Sequence, residues 1–310
     1  MFERLPQTVT LIEVGPRDGF QMEATPIPTD FKVQTVESLI AAGLREIQVT
    51  AFVHPGRVPQ MADAEALIGR LGSRPDVVFT ALTLNRRGVE RAAAAGLEAV
   101  EVSASASDTH SRNNTGMSHA DAVAEGVRMI WLARRHGMTV RASIQCAFGC
   151  VSEGEIPVER VLETARRFLA EGVARITLAD TTGMGSPRSV EDRISALTAD
   201  ANDIPVGLHL HDTRGLGLAN VLTGLLRGVT HFDTAFGGMG GCPFVPGAAG
   251  NIPTEETAYL MDRLGVETGV SLEQVAAWSR RMADFLGKPL PGKVHRLVGS
   301  GAGPAIPPGR

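Results

Sequence analysis

Two histidines one residue apart, His209 and His211 in the stretch VGLHLHD, form the most suggestive chemical pair in this 310-residue sequence. If the apolar run Val206–His211 is a strand, positions i and i+2 share a face. The two imidazoles then converge on one spot, separated by about 7 Å of backbone. A metal ion suits such a pair, and two hydrogen-bonded core histidines are the plain alternative. Oxygen donors decide between metals. Asp18 follows the apolar run Thr10–Val14, and Asn251 offers an amide oxygen. Two imidazoles with hard oxygens and open positions favour Mg²⁺ or Mn²⁺, with Co²⁺ and Zn²⁺ as further options. A structural zinc site would want thiolates, and Cys146, Cys150 and Cys242 are not spaced for one.

Other reactive groups fall at comparable places. Arg17 precedes Asp18 and carries a rigid fork of donors suited to a developing oxyanion; a salt-bridged surface turn is the bland reading of the same dipeptide. Cys242 sits in GGMGGCPFVPGAAGN, residues 237–251. A thiol in such a glycine-rich loop suits proton donation, whereas a phosphate-cradling loop with an incidental cysteine is the alternative. Gln21, Gln48, Ser103, Arg141 and Asp180 are polar residues near the other strand-like runs and are candidates for substrate contact.

These residues need a scaffold that gathers them. Strand-like runs occur at Thr10–Val14, Glu46–Phe52, Val77–Leu82, Ala99–Ser103, Thr139–Cys146, Arg175–Ala179, Val206–His211 and His231–Phe236. Several are nearly continuous apolar runs, as parallel strands buried on both faces should be. Helical segments lie between them. Ser118 with Asp121 resembles a capping box, Pro157 and Ser186-Pro187 open further segments, and Gly43, Gly96, Gly137 and Gly172 close others. Eight such units predict an α/β fold, a (β/α)8 TIM barrel with a glycine-rich lid loop after the eighth strand. A doubly wound open sheet is the runner-up, weakened because no GxGxxG or Walker sequence follows the first strand. In a barrel the chemistry belongs at the C-terminal strand ends, where the polar residues above cluster. The chain reads as a single catalytic domain over 1–310, with a Gly/Pro-rich tail at 297–310 expected to be loose.

Composition narrows the function class. Hydrophobic residues make up 43% and charged residues 21%, with a net charge of -4 and no basic stripe for nucleic acid. No run approaches the ~18 apolar residues that a membrane helix needs. The N-terminus lacks a signal-peptide pattern. A cytoplasmic enzyme is the expectation.

The stretches EVGPRDGFQ (13–21), FVHPGRVPQMAD (52–63), HLHDTRGLGLAN (209–220) and GGCPFVPGAAGN (240–251) together resemble the 3-hydroxy-3-methylglutaryl-CoA lyase family, within the wider group of metal-dependent TIM-barrel lyases, aldolases and acyltransferases. The resemblance spans about residues 9 to 296. It implies that Asp18, His209, His211 and Asn251 are metal ligands, that Arg17 steadies the enolate and acyl carbonyl, and that Cys242 serves in acid–base chemistry. It further implies retro-Claisen cleavage of an acyl-CoA to acetyl-CoA and acetoacetate, and a homodimer. One position departs from the pattern: the family's second strand carries a glutamate where this chain has Gln48, which accepts a hydrogen bond but cannot neutralise Arg17. The substrate is therefore open to another 3-hydroxyacyl-CoA, such as citramalyl-CoA. A Claisen-type synthase and a non-catalytic acyl-CoA-binding barrel are the competing functions.

Overall fold

A computed structural model of the chain describes residues 4–200, 204–241, 245 and 248–299. Eight strands pair in parallel, each with the next, and the eighth returns to the first to close a barrel. They are β1 Thr10–Glu13, β2 Glu46–Phe52, β3 Val78–Thr83, β4 Ala99–Ser105, β5 Thr139–Gln145, β6 Arg175–Ala179, β7 Val206–His209 and β8 His231–Thr234. The helices packed outside are α1 Thr29–Ala41, α2 Ala64–Leu71, α3 Arg86–Ala94, α4 Asp108–Thr115, α5 His119–Arg135, α6 Val158–Ala170, α7 Pro187–Asp200, α8 Gly217–Leu226, α9 Thr254–Arg263 and α10 Leu272–Leu286. The predicted (β/α)8 barrel is the observed fold. No helix among the described residues is long and apolar enough to cross a membrane.

Local sequence explains the helices. In α6 the buried residues Val161, Leu162, Ala165 and Phe168 recur at helical spacing and face the barrel. Ser118 accepts a hydrogen bond from the Asp121 N–H at 3.1 Å, capping α5 as its sequence suggested. Gly126 on α5 leaves room for the Phe168 ring, which a Cβ there would meet at 2.8 Å.

Four strands end sooner than their apolar runs, β1 by one residue at Glu13. β5 stops at Gln145 because Cys146 turns into the left-handed region at φ 54°. β7 stops at His209, since His211 makes an antiparallel bridge to Asn251 instead of continuing beside β6. β8 stops at Thr234, where Ala235 bridges to Pro253. Asn251 and Pro253 therefore lie beside the ends of β7 and β8.

The barrel interior contains a layer of charge. Glu46 on β2 accepts hydrogen bonds from Arg141 on β5 and Arg175 on β6, and Arg141 also donates to Thr80 on β3. Glu101 on β4 lies 4.0 Å from Arg141. Burial pushes the Glu46 carboxyl up, but the two guanidiniums outweigh it and hold it below the usual range. Removing one partner from a buried ionic set like this costs about 3–5 kcal/mol, because it strands the other charges.

Candidate active site

The segment after β1 is a π-helical turn, Gly15–Gly19, carrying Arg17 and Asp18. Such turns are rare and concentrate at functional sites. This one is pinned from below. Glu13, fully buried, accepts from the Gly15 N–H at 2.8 Å and from the Phe236 N–H at 3.1 Å with the same oxygen, while its other oxygen meets Thr254 Oγ1 at 2.7 Å. Gly15 is required here, because a Cβ would lie 2.7 Å from both Glu13 Oε1 and the Phe236 ring. Glu255 in turn accepts from the Gly237 N–H and from Ser279. Burial pushes the carboxyls of Glu13 and Glu255 up to about 8 and about 7, so both favour their neutral forms.

At the barrel mouth, ligand atoms of Asp18, His209 and His211 all lie within 4.8 Å of one another. The two imidazoles face each other through Nε2 atoms 3.1 Å apart. His209 turns its Nδ1 to Asp233 on β8, at 3.1 Å. Donation of that N–H to Asp233 leaves a lone pair on Nε2, aimed at the cluster. Asn251 donates through Nδ2 to Asp18 at 2.7 Å and to the Met239 carbonyl at 3.0 Å. Its Oδ1 is buried with no hydrogen-bond partner. Two ring nitrogens and one carboxylate thus meet in a small buried space, and the residue hydrogen-bonded to that carboxylate, Asn251, carries an orphaned amide oxygen. A divalent cation suits the three clustered donors Asp18, His209 and His211, so they fit the metal that the sequence suggested.

Electrostatics agree with that geometry. Burial is the strongest influence on Asp18 and raises its carboxyl, but Arg17, His209 and His211 together bring it down to about 2. Burial and the neighbouring His209 push the His211 imidazole down to about 4. Burial also opposes charge on His209, but Asp233 and Asp18 outweigh it and raise that imidazole. Arg17 donates from Nε to Gln48 Oε1 and from Nη1 to Asp18. Gln48 supplies the hydrogen bond its amide permits and no countercharge, and its Nε2 is buried without a partner.

A cavity of about 140 Å³ opens beside this cluster, lined by Arg17, Asp18, His209 and His211 and also by Gln21 and Glu101. That is close to the ~150 Å³ known to admit benzene, so it has room for a short acyl group. The other expected contacts fall elsewhere. Ser103 lies in a recess adjoining the cavity. Arg141 sits below the cavity floor, occupied by Glu46 and Thr80, because it is the third residue of β5 and not one at the strand's end. Asp180 is buried behind the wall, with Oδ1 accepting from the Gly185 N–H at 2.9 Å and Oδ2 unpartnered; burial pushes it to about 6. Cys242 lies outside the described residues.

Two residues escaped sequence reasoning. Asp233 pairs in register with His209 and alternates with His231, the same i, i+2 pattern on β8 that drew notice on β7. Glu101 interrupts an apolar strand and faces the cavity, and that interruption was its only signal.

Fold and site together define a (β/α)8 enzyme with a candidate metal centre at the C-terminal mouth of its barrel. A family model described as HMGL-like matches residues 8–282, and the chain belongs to that family, as a carbon–carbon lyase of hydroxymethylglutaryl-CoA lyase type. It is 40% identical to the (R)-citramalyl-CoA lyase of Chloroflexus aurantiacus, over 97% of this chain and 96% of that one. It is 37% identical to the 3-hydroxy-3-isohexenylglutaryl-CoA/hydroxymethylglutaryl-CoA lyase of Pseudomonas aeruginosa, over 92% and 95%. Among solved structures, an HMG-CoA lyase from Acinetobacter baumannii in complex with coenzyme A and 3-methylmalate superposes with a TM-score of 0.91 at 33% identity, covering 97% of this chain and 98% of that one.

Proposed function

We propose that the protein cleaves a 3-hydroxy-3-methylglutaryl-CoA-like thioester to acetyl-CoA and acetoacetate, using a divalent cation, Mg²⁺ or Mn²⁺, held by Asp18, His209, His211 and Asn251. The convergence of Asp18, His209 and His211 beside Arg17, in a cavity of acyl size, carries the reading. When bound, the cation lowers the pKa of the substrate's tertiary hydroxyl. The proton leaves that oxygen for Asp18 or a histidine of the cluster. The C–O bond becomes a carbonyl as the C2–C3 bond breaks, and its electron pair passes into a thioester enolate. Arg17, fixed by Gln48 and Asp18, faces the developing enolate oxygen. The enolate carbon then takes a proton, for which Cys242 is the proposed donor.

A second substrate reading has its own support. Gln48 leaves Arg17 less neutralised than a glutamate would, and the citramalyl-CoA lyase relative is similar over nearly the whole chain. Citramalyl-CoA cleaved by the same step gives acetyl-CoA and pyruvate. Purified protein loaded with Mg²⁺ or Mn²⁺ and offered each thioester tests both readings. Acetyl-CoA with acetoacetate supports the first, acetyl-CoA with pyruvate the second. Absence of acetyl-CoA from every 3-hydroxyacyl-CoA offered refutes the lyase reaction proposed for this site.

A further inference from the structure

The cavity has two unlike walls. On the β2–β3 side, Val53, Val58, Leu82 and Leu84 present apolar surface. On the β4–β5 side stand Glu101, Asn114, Ser143 and Gln145. Behind Asn114 and Gln145, and sharing both with the cavity, lies a recess of about 10 Å³ that also takes in Ser103 and Ser111. The hydroxyls of Ser103 and Ser111 are buried and have no hydrogen-bond partner. The nearest amide pair, Asn114 Nδ2 to Gln145 Oε1, is long at 3.5 Å. Buried hydroxyls are nearly always satisfied in native proteins, so two orphans beside a substrate cavity call for an occupant that is both donor and acceptor.

Charge selects among occupants. The recess lining contains one acid, Glu125, and no Lys, Arg or His. Glu101 adds a second carboxyl on the same wall. In the recess a carboxylate substituent would meet the Glu125 carboxyl and no cation, and a methyl would leave both serines unpaired. We infer that this wall recognises an uncharged, hydroxyl-bearing substituent on the substrate's carbinol carbon, held by Ser103, Ser111, Asn114 and Gln145. The inference rests on the proposed cleavage of a 3-hydroxyacyl thioester and names the group that this chain prefers at C3.

Two probes differ only at that group: 3-hydroxy-3-methylglutaryl-CoA and its 3-hydroxymethyl counterpart. Calorimetry on the metal-free protein reads binding without turnover, and the Mn²⁺-loaded protein reads kcat/KM. The wild type is expected to favour the hydroxymethyl thioester by about tenfold or more in both measurements. The double variant Ser103→Ala/Ser111→Ala is expected to erase that preference. Equal or tighter binding of the methyl compound by the wild type overturns the inference. So does a preference unchanged in the double variant, which would assign the recess to a resident water. A hydroxymethyl preference in binding with neither thioester cleaved supports the wall and refutes the proposed reaction instead.

Discussion

The two sides of the active-site cavity are built on opposite principles. On the β1, β7 and β8 side, the charged groups are positioned by hydrogen bonds, although Gln48 Nε2, His211 Nδ1 and Asn251 Oδ1 are buried without partners. Arg17 spans Gln48 and Asp18, His209 is turned by Asp233, and the Gly15–Gly19 turn hangs from Glu13. On the β4–β5 side, Ser103 and Ser111 are buried without partners. The first arrangement is preorganised, with groups fixed before the substrate arrives, as transition-state stabilisation demands. The second is unfinished until something occupies it, as selection among substrates demands. The proposed reaction and the inferred substrate choice fall on opposite walls, and substitutions on each should fail in different ways.

The largest effect belongs to the histidine pair. His209→Ala or His211→Ala should abolish tight Mn²⁺ binding, measured by equilibrium dialysis. The transition-state stabilisation lost with it is several kcal/mol, or roughly a thousandfold in kcat/KM. Full activity with no bound metal would dissolve the contrast between the walls. Arg17→Met should lower kcat by roughly 10²–10³-fold while Mn²⁺ affinity changes far less, because the guanidinium acts on the reacting oxygen and not on the ion. A parallel loss of metal affinity would instead make Arg17 a support for Asp18. Asp233→Asn should weaken Mn²⁺ binding by about 10–100-fold, as loss of a ligand's hydrogen-bonded partner does, with kcat largely restored at saturating metal.

The smallest effects concern stability. Glu13→Ala leaves the buried N–H groups of Gly15 and Phe236 without an acceptor, at about 1–3 kcal/mol each in urea unfolding. Glu13→Gln keeps an oxygen for both and should cost under about 1 kcal/mol. The pH dependence has a definite sign. The Glu13 carboxyl is near 8 in the folded protein against 4.5 ordinarily, so its neutral form is the one the fold favours. Its contribution is complete below pH 4.5 and drains away as pH rises through 8. The decline in stability between pH 5 and 8 should therefore be shallower in Glu13→Gln than in the wild type. An identical slope would show that Glu13 is ionised in the fold.

Much of this was legible in the residues themselves. The eight apolar runs gave the barrel because parallel strands buried on both faces leave an unambiguous pattern. The histidine pair and Arg17-Asp18 could be read because each sits beside a strand end. What escaped depends on depth along a strand, which alternation does not encode. Arg141 and Ser143 occupy the same face of β5, yet one pairs with Glu46 under the floor and the other reaches the cavity. Asp233 and Glu101 were likewise hidden in short runs where a single acid gives no sign of its neighbour. The early end of β7 was invisible because its cause, the bridge from His211 to Asn251, lies forty residues away in sequence.

One oxygen of Glu13 joins the turn that carries Asp18 to the backbone at Phe236, from which the glycine-rich loop departs. Thermodynamic linkage makes such a joint reciprocal. Under the proposed function, any change that a bound thioester makes in the affinity of the Asp18 cluster for its ion is matched by an equal factor in the ion's effect on the thioester. Affinities for metal and thioester are then to be compared only at a stated concentration of the other.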